Sequence, residues 1–405
     1  MTNHVEGPLN GLTIVELSSG AGAAYAGRLL STLGAHTVLA EPPGGSLLRH
    51  RPPFLPPSGE GAGEVSALFA YLAAGKASVV CDLATVAGRE DLHRLLETAD
   101  AFICDVPLAQ RAGLGVDEAG LRATHPHLIH VSVLPYGASG PHADWHGEEI
   151  NLIHASGEGF LLPNGLSAEM FPDRPPLKIH GHFAEMQGGV VAALGALAAL
   201  LASRQGEGTA GEAVDVSIQD AALAVGAFAI QRLGDGSLEH RLTRSFKYGG
   251  VLECADGYVQ LLTLEERQWT GLVELMGRPG WATAPDLADP LERSRRGAEI
   301  NERIRAWSRT QLTADVVARA QTLGVPMGKY ASPAEVLAGA HEAARGLFQS
   351  VDIPGAGPAD VLVAPFHLDG GALRLRSGPP ALGEHQSILS GNRRREAAPR
   401  AVGAR

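Results

Sequence analysis

The chain has 405 residues, of which 45% are apolar and 19% are charged, and its formal net charge at pH 7 is −11. This length suits two or three domains with a large core, so a single small domain is excluded. The acidic balance opposes non-specific binding to nucleic acid or to an anionic membrane, because both need a basic surface. We therefore expect a globular protein with neither nucleic-acid nor membrane partners.

The sequence also argues against disulfides, a leader segment and common catalytic motifs. Cys81, Cys104 and Cys254 are far apart and form no CxxC pair, which argues against a disulfide framework or a cysteine-rich zinc site. The opening MTNHVEGPLNG lacks the basic start and apolar core of a leader, so we expect the cytoplasm as the compartment. No HExxH, GxSxG or GxxxxGK[ST] pattern occurs, and we expect no metal.

The chain begins with a strand, a glycine-rich turn and a helix. Residues 12–17 are an apolar run ended by SSGAG, and helical spacing and a second strand follow. Gly20, Gly22 and Glu41 resemble a dinucleotide-binding fingerprint, but Tyr25 stands where its third glycine belongs. The pattern therefore favours an ordinary glycine turn in a strand–helix–strand unit, and it leaves open another nucleotide-bearing ligand.

The next segments continue this alternation. Residues 41–63 are rich in proline and glycine and predict a loop that carries Arg49, His50 and Arg51. This loop is either a solvated connector or a phosphate clamp, since paired arginines suit bidentate contacts. Three further segments alternate helical and strand patterns, LFAYLAAGKASVVCDL, VAGREDLHRLLETADAFICDV and HLIHVSVLPYG. Together they predict an α/β fold with a parallel sheet covered on both faces.

Polar side chains gather in the irregular stretch from 140 to 176. Within thirteen residues lie the histidines and glutamates His146, Glu148, Glu149, His154 and Glu158. Their spacing matches no common metal-ligand pattern, so the favoured interpretation is a helix surface with one His–Glu pair.

The most distinctive segment runs from 176 to 220. Its polar entry carries His180, His182 and Glu185, and an apolar run follows from Gly188 to Ala202. Alanine and leucine favour a helix, and a helix that is apolar all round is expected to be buried. The run of about 15 residues is shorter than the roughly 20 needed to cross a bilayer. We therefore expect a core helix with a carboxylate near its positive end.

The pattern changes again after residue 225. A glycine-rich loop and a hairpin around Ala255-Asp256-Gly257 precede three helical segments, which predicts a second, smaller α/β domain over 225–335. The tail RRREAAPRAVGAR is basic, and we expect it to be disordered.

Several blocks in order resemble the class III CoA-transferases. They are PLNGLTIVELSSG, LGAHTVLAEPPGG, GKASVVCDL, AGLGVDEAGLRATHPHLIHVSVLPYGASGP, HASGEGF, GEGTAGEAVDVSIQDA, YGGVLECADGYVQL, LGVPMGKYASPAEVL and PPALGEHQSIL. The resemblance covers nearly the whole chain. It implies a Rossmann-like large domain built from 1–222 and 336–405, with the small domain inserted at 225–335. It also implies an interlocked homodimer.

The resemblance implies covalent chemistry on an acyl-CoA substrate. In this family an aspartate attacks the thioester to give a mixed anhydride and CoA thiolate, which conserves the energy of the thioester. Glu185 holds that aspartate's place, and its extra methylene moves the carboxylate by about 1.5 Å. His180 and His182 are candidate general bases. Gly249 and Gly250 correspond to the family's glycine loop over the anhydride, which is short here.

The resemblance also assigns a coenzyme A site. Gly20, Ala21 and Gly22 would line the nucleotide, and Asp105 and Val106 would border the adenosine. The cations expected to hold phosphates are Lys76, Arg111 and Arg49. Leu39 and Leu134 replace two lysines common in the family, which weakens the expected phosphate site.

The leading functional hypothesis is therefore a CoA-transferase that moves CoA between an acyl donor and a carboxylic acid. A non-catalytic subunit of a heteromeric CoA-transferase is one alternative. A repurposed isomerase, dehydratase or cyclase that uses Glu185 with His180 or His182 is another. A racemase is disfavoured, because Glu148 stands at the place of that enzyme's catalytic histidine.

Overall fold

The structure is a computed structural model that describes residues 7–59, 64–159, 162, 172–175, 177–205, 211–226, 248–368 and 371–391. The strands are β1 (Thr13–Leu17), β2 (His36–Glu41), β3 (Phe54–Leu55), β4 (Val65–Ser66), β5 (Ala77–Val80), β6 (Ala101–Cys104), β7 (Ile129–Leu134), β8 (Ala213–Ser217), β9 (Gly250–Cys254), β10 (Gly257–Leu261), β11 (Met327–Lys329), β12 (Phe348–Ile353), β13 (Gly357–Leu362), β14 (His367–Leu368) and β15 (Gly371–Ala372).

The helices alternate with strands up to Val225, and beyond it they lie between β10 and β12. They are α1 (Ala21–Thr32), α2 (Ala67–Ala73), α3 (Val86–Leu96), α4 (Leu108–Leu114), α5 (Glu118–Thr124), α6 (Glu149–Ala155), α7 (Phe183–Gln205), α8 (Ile218–Val225), α9 (Glu266–Leu275), α10 (Pro290–Arg295), α11 (Gly297–Ser308), α12 (Thr313–Thr322), α13 (Pro333–Leu337) and α14 (Ala340–Ala344). Single 3-10 turns occupy Leu47–His50, Pro285–Ala288 and Gln386–Ser390.

Six strands form one parallel sheet in the order β5-β2-β1-β6-β7-β8. Numbered along the chain, this is the 3-2-1-4-5-6 order of doubly wound folds. Every residue of β7 is buried, as expected where helices cover both faces of a parallel sheet. The predicted α/β class is confirmed.

The strand order reverses between β1 and β6. The carboxyl end of β1 leads into the turn before α1, and the carboxyl end of β6 leads into Asp105. Open parallel sheets bind ligands in the crevice at such a switch point. The fold therefore directs attention to the segment around Gly20 and Asp105.

Helix α7 is the longest helix among the described residues, with 23 residues. One face belongs to the main core, through Ala184, Ala192, Ala193, Ala196, Ala199 and Leu200. The prediction that the helix is buried all round is wrong, because Val190, Leu194 and Leu201 are 44%, 65% and 58% exposed. Within the described part of the chain, α7 packs against α1, α6, α8 and the strands β7 and β8. Among the described residues, α7 is the one helix that is long and apolar enough to cross a membrane, but core helices of globular proteins pass the same test.

Helices α1 and α7 approach each other through glycines. A Cβ on Gly189 would lie 2.6 Å from the carbonyl oxygen of Gly22 and 2.9 Å from Cβ of Tyr25. A Cβ on Gly22 would lie 3.0 Å from the carbonyl oxygen of Glu185. This close approach fixes the first turn of α7 against the start of α1.

The chain divides into two compact units. The first contains Met1–Glu158, Ile179–Ala227 and Gly339–Arg405, and the second contains Gly159–Lys178 and Phe228–Ala338. In the second unit β9, β10 and β11 form an antiparallel sheet, and the hairpin around Asp256 is as predicted. Its core combines this sheet with α9, α11 and α12, through side chains such as Leu252, Trp269 and Ile304.

Two further predictions concern irregular segments. The segment predicted as a loop over 41–63 contains the 3-10 turn Leu47–His50 and the short strand β3, which pairs with β4. The sequence pattern did not predict these elements, because each is no longer than four residues and lies in a segment rich in proline and glycine. The basic tail after residue 391 lies outside the described residues.

Candidate active site

Glu185 lies in the first turn of α7, at the sheet's switch point. Its side chain is 10% exposed. Oε1 accepts a long hydrogen bond of 3.4 Å from the backbone N–H of Ala21, the first residue of α1. A carboxylate at two helix N-termini is stabilised by both dipoles. The structure therefore places the predicted nucleophile beside the turn that the sequence singled out.

A second carboxylate holds the start of α7. Oε1 and Oε2 of Glu149 accept hydrogen bonds of 3.0 Å from the backbone N–H groups of Ala184 and Glu185. Glu149 is itself buried, and both bonds satisfy donors that have no partner inside the helix. Glu149 thus fixes the backbone that carries Glu185.

Asp105 holds the turn before α1. Its carboxylate accepts hydrogen bonds from the backbone N–H groups of Ser19, at 2.9 Å and 3.0 Å, and of Gly20, at 2.6 Å. Burial raises the pKa of Asp105 to about 6, although the bonds from Gly20 and Ser19 act in the opposite direction. A Cβ on Gly20 would lie 3.2 Å from Asp105 and 3.6 Å from Glu185. Two carboxylates therefore converge on this glycine.

Of the two predicted histidines, the structure brings His182 to the carboxylate. Nδ1 of His182 lies 2.5 Å from Oε2 of Glu185, whereas His180 is exposed. The hydrogen bond with Glu185 raises the pKa of His182, and burial partly opposes this effect. The result is a glutamate–histidine pair at the N-terminus of α7.

The three predicted phosphate cations make contacts inside the protein. Lys76 is 1% exposed, and its Nζ lies 2.6 Å from Oε2 of Glu16 and donates to the carbonyl of Ala24. Because burial is the largest effect, it lowers the pKa of Lys76 and raises that of Glu16. Such a pair leaves no face of Lys76 for a ligand.

Arg49 and Arg111 are engaged in the same way. Arg49 forms a bidentate pair with Glu41, at 2.6 Å and 2.7 Å, and its guanidinium lies 4.0 Å from the Phe69 ring centroid. Arg111 is buried and donates to the carbonyl of Val106 and to Ser132 Oγ. The contacts of these arginines are therefore those of framework residues.

The dinucleotide fingerprint is also accounted for by these contacts. Glu41 is fully buried and accepts hydrogen bonds from Arg49, the backbone of Ser46 and Ser78 Oγ. A ribose hydroxyl would have to displace Arg49 to reach it. The glycine turn is thus better explained by the close packing of α1 on α7.

Comparisons with known proteins show the family of the chain. The model of the family described as CoA-transferase family III matches residues 9–386. The chain belongs to this family. It is 28% identical over 390 residues to succinate–glutarate CoA-transferase of Agrobacterium fabrum, with 94% of each chain covered. It is 28% identical to succinyl-CoA–D-citramalate CoA-transferase of Chloroflexus aurantiacus, covering 93% of this chain and 92% of that one.

A solved structure of the family extends the comparison to three dimensions. A CaiB/BaiF family protein from Brucella suis is 27% identical, with a TM-score of 0.82 over 95% of this chain and 99% of that one. The parallel six-stranded sheet and the smaller antiparallel sheets are therefore those of CoA-transferase family III.

Other residues predicted from the family resemblance lie as follows. Leu39 and Leu134 are buried apolar residues. Gly249 and Gly250 lie in the second unit at the start of β9, with φ values of +96° and +78°, and the N–H of Gly249 donates to Asn301 Oδ1 at 2.7 Å. Their left-handed backbone explains why glycine stands at both positions.

The sequence did not predict that Glu149 accepts hydrogen bonds from the start of α7 or that Glu16 pairs with Lys76. Glu16 sits within the apolar run of β1, and a charged residue in a buried strand needs a paired charge. That signal was available, but its partner Lys76 lies 60 positions away. Across the described ranges, no cluster of three or more His, Cys, Asp or Glu residues could hold a metal ion.

Proposed function

We propose that the protein transfers CoA from an acyl-CoA donor to a carboxylic acid, with Glu185 as the nucleophile. The observation that carries this proposal is the largely buried carboxylate at the switch point of a CoA-transferase family III fold. The two relatives named above are transferases for glutarate and D-citramalate, respectively. A small carboxylic acid is therefore the acceptor that we expect.

The proposed reaction is covalent. One oxygen of Glu185 attacks the thioester carbon, the carbon–sulfur bond breaks, and CoA leaves as thiolate. The resulting mixed anhydride keeps the energy of the thioester. CoA thiolate then attacks the Glu185 carbonyl, which releases the donor acid and leaves a glutamyl-CoA thioester. The acceptor carboxylate attacks this thioester and displaces CoA thiolate, which attacks the acceptor carbonyl of the second anhydride, gives the new acyl-CoA and frees Glu185. The N–H of Ala21 donates to Oε1, and it supports this role because it can stabilise the oxyanion that develops on this oxygen during attack on the Glu185 carbonyl.

We propose that the turn around Gly20, Ala21 and Gly22 and the Asp105-Val106 segment border the CoA nucleotide. The buried pairs of Lys76 and Arg49 argue against phosphate contacts by these two side chains. Arg51 is the better candidate cation, because its side chain is 34% exposed and its charge lowers the pKa of His182.

We further propose a homodimer in the cytoplasm. The exposed apolar side chains of α7, which include Val190, Leu194 and Leu201, supply a surface that a second copy would cover. The cysteines Cys81, Cys104 and Cys254 are buried and free, which suits a reducing compartment. A heteromer with a catalytic partner is the alternative that the assay below tests.

The test is a transfer assay on the purified protein without any partner. Acetyl-CoA and succinyl-CoA are offered with a panel of carboxylic acids, and new CoA esters are identified by mass spectrometry. We expect turnover by the wild type and a loss of roughly 10³-fold or more in Glu185→Gln. Glu185→Asp moves the carboxylate back by one methylene and is expected to lose about 10²-fold. Turnover that survives in Glu185→Gln would refute the nucleophile, and turnover only after a partner is added would support the heteromer.

A further inference from the structure

His182 borders both the proposed nucleophile and solvent. Its Nδ1 lies 2.5 Å from Oε2 of Glu185, and its side chain is 25% exposed whereas that of Glu185 is 10% exposed. An imidazole in this position contacts the reacting carboxylate and is accessible to water. A transfer between two carboxylates does not itself require such a base, because a carboxylate acceptor arrives already deprotonated.

The charge on Glu185 controls the protonation of His182. The hydrogen bond with Glu185 is the largest cause that raises the pKa of His182; burial opposes it, the charges of Glu185 and Glu149 add to it, and Arg51 opposes it. Acylation converts the carboxylate of Glu185 into a neutral anhydride. The main reason for the raised pKa then disappears, so His182 becomes a proton donor when CoA thiolate leaves and a neutral base afterwards.

We propose that His182 and Glu185 form a catalytic pair that gives this site a second activity, the hydrolysis of acyl-CoA when no acceptor acid is bound. The inference rests on the proposed function, because it needs the acyl anhydride on Glu185. The substrate class is an acyl-CoA thioester, and water takes the place of the acceptor.

The steps balance without any further reagent. Glu185 attacks the thioester carbon, the carbon–sulfur bond breaks, and the imidazolium of His182 gives its proton to the thiolate, which leaves as CoA thiol. Neutral His182 then takes a proton from water while the water oxygen attacks the acyl carbon of the anhydride. The bond between that carbon and the Glu185 oxygen breaks, which releases the free acid and restores the carboxylate–imidazolium pair.

The first test measures thiol release from acetyl-CoA and succinyl-CoA by the full chain with no acceptor added. We expect hydrolysis by the wild type and a fall of about 10²-fold in His182→Asn, because asparagine can donate to Glu185 but cannot transfer a proton. His341, which is exposed in α14, supplies the matched control, and His341→Asn is expected to hydrolyse at the wild-type rate. An equal rate in His182→Asn and the wild type would overturn the proposal.

The second test follows the oxygen atom. In ¹⁸O-labelled water the proposal places the label in the released acid and leaves Glu185 unlabelled, since water attacks the acyl carbon. Label found in Glu185 would show that water attacks the Glu185 carbonyl, which contradicts attack at the acyl carbon. If Glu185 is acylated and transfers to an added acid but releases no thiol alone, the hydrolase inference fails and the transferase proposal stands. If Glu185 is never acylated, both fail.

Discussion

At the residue scale, the site is built from carboxylates that accept hydrogen bonds from backbone N–H groups of helices and turns. Asp105 holds the turn at Ser19 and Gly20, Glu149 holds the start of α7, and Glu185 lies between them. Each is at least partly withdrawn from water. The raised pKa of Asp105 therefore couples the geometry of the turn at Gly20 to pH.

The raised pKa of Asp105 predicts a pH-dependent loss of stability. Its folded-state pKa is about 6, against an ordinary value of 3.8, so its contribution is present at low pH and is lost as pH rises through the folded value. Urea midpoints at pH 5 and pH 7.5 should show the wild type losing stability relative to Asp105→Asn. Both proteins share the His182 titration, so the difference isolates Asp105. If the urea midpoints of both proteins change equally between pH 5 and pH 7.5, the raised pKa of Asp105 is refuted.

The cap made by Glu149 predicts a specific loss on substitution. Glu149→Gln removes the charge and one of two acceptor oxygens, and the loss of a cap costs about 0.5–2 kcal/mol of unfolding free energy. We also expect a lower kcat with little change in KM, because the backbone of Glu185 shifts. Glu90→Gln is the control, since Glu90 is exposed in α3. Equal effects of the two changes would remove the special role of Glu149.

At the element scale, the alternation of apolar runs and helical patterns was enough to predict five of the six strands of the parallel sheet, and β8 was not predicted. It could not give the partners of charged residues. Lys76 and Arg49 look like ligand cations in the sequence, because the carboxylates that hold them, Glu16 and Glu41, come from other strands or turns. Likewise, only the packed structure shows which face of α7 remains uncovered.

The contact between α1 and α7 predicts a steric cost at Gly189. Its Cβ would lie 2.6 Å from the carbonyl oxygen of Gly22, so Gly189→Ala is expected to destabilise the protein by about 1–3 kcal/mol despite the better helix propensity of alanine. Gly113→Ala is the control in α4, where a Cβ meets nothing within 4 Å. Chemical denaturation should show that this control is up to about 1 kcal/mol more stable. A stabilising Gly189→Ala would contradict the packing.

At the scale of the whole molecule, the uncovered apolar face of α7 predicts self-association. Leu194 is the most exposed of its large apolar side chains, at 65%, and a monomer would leave this face in water. Multi-angle light scattering is expected to give twice the chain mass of 42.1 kDa. A mass equal to one chain across the concentration range would reject the homodimer.

The central claim is that Glu185 carries an acyl group during the reaction. The most direct measurement is peptide mass spectrometry of the full chain mixed with succinyl-CoA or acetyl-CoA and quenched with hydroxylamine. Hydroxylamine attacks the Glu185 carbonyl of the anhydride or of glutamyl-CoA, displaces the acid or CoA, and leaves a hydroxamate on the side chain. We expect the hydroxamate on Glu185, and none on Glu149 or Asp105. CoA transfer that proceeds while Glu185 remains unmodified would contradict the account.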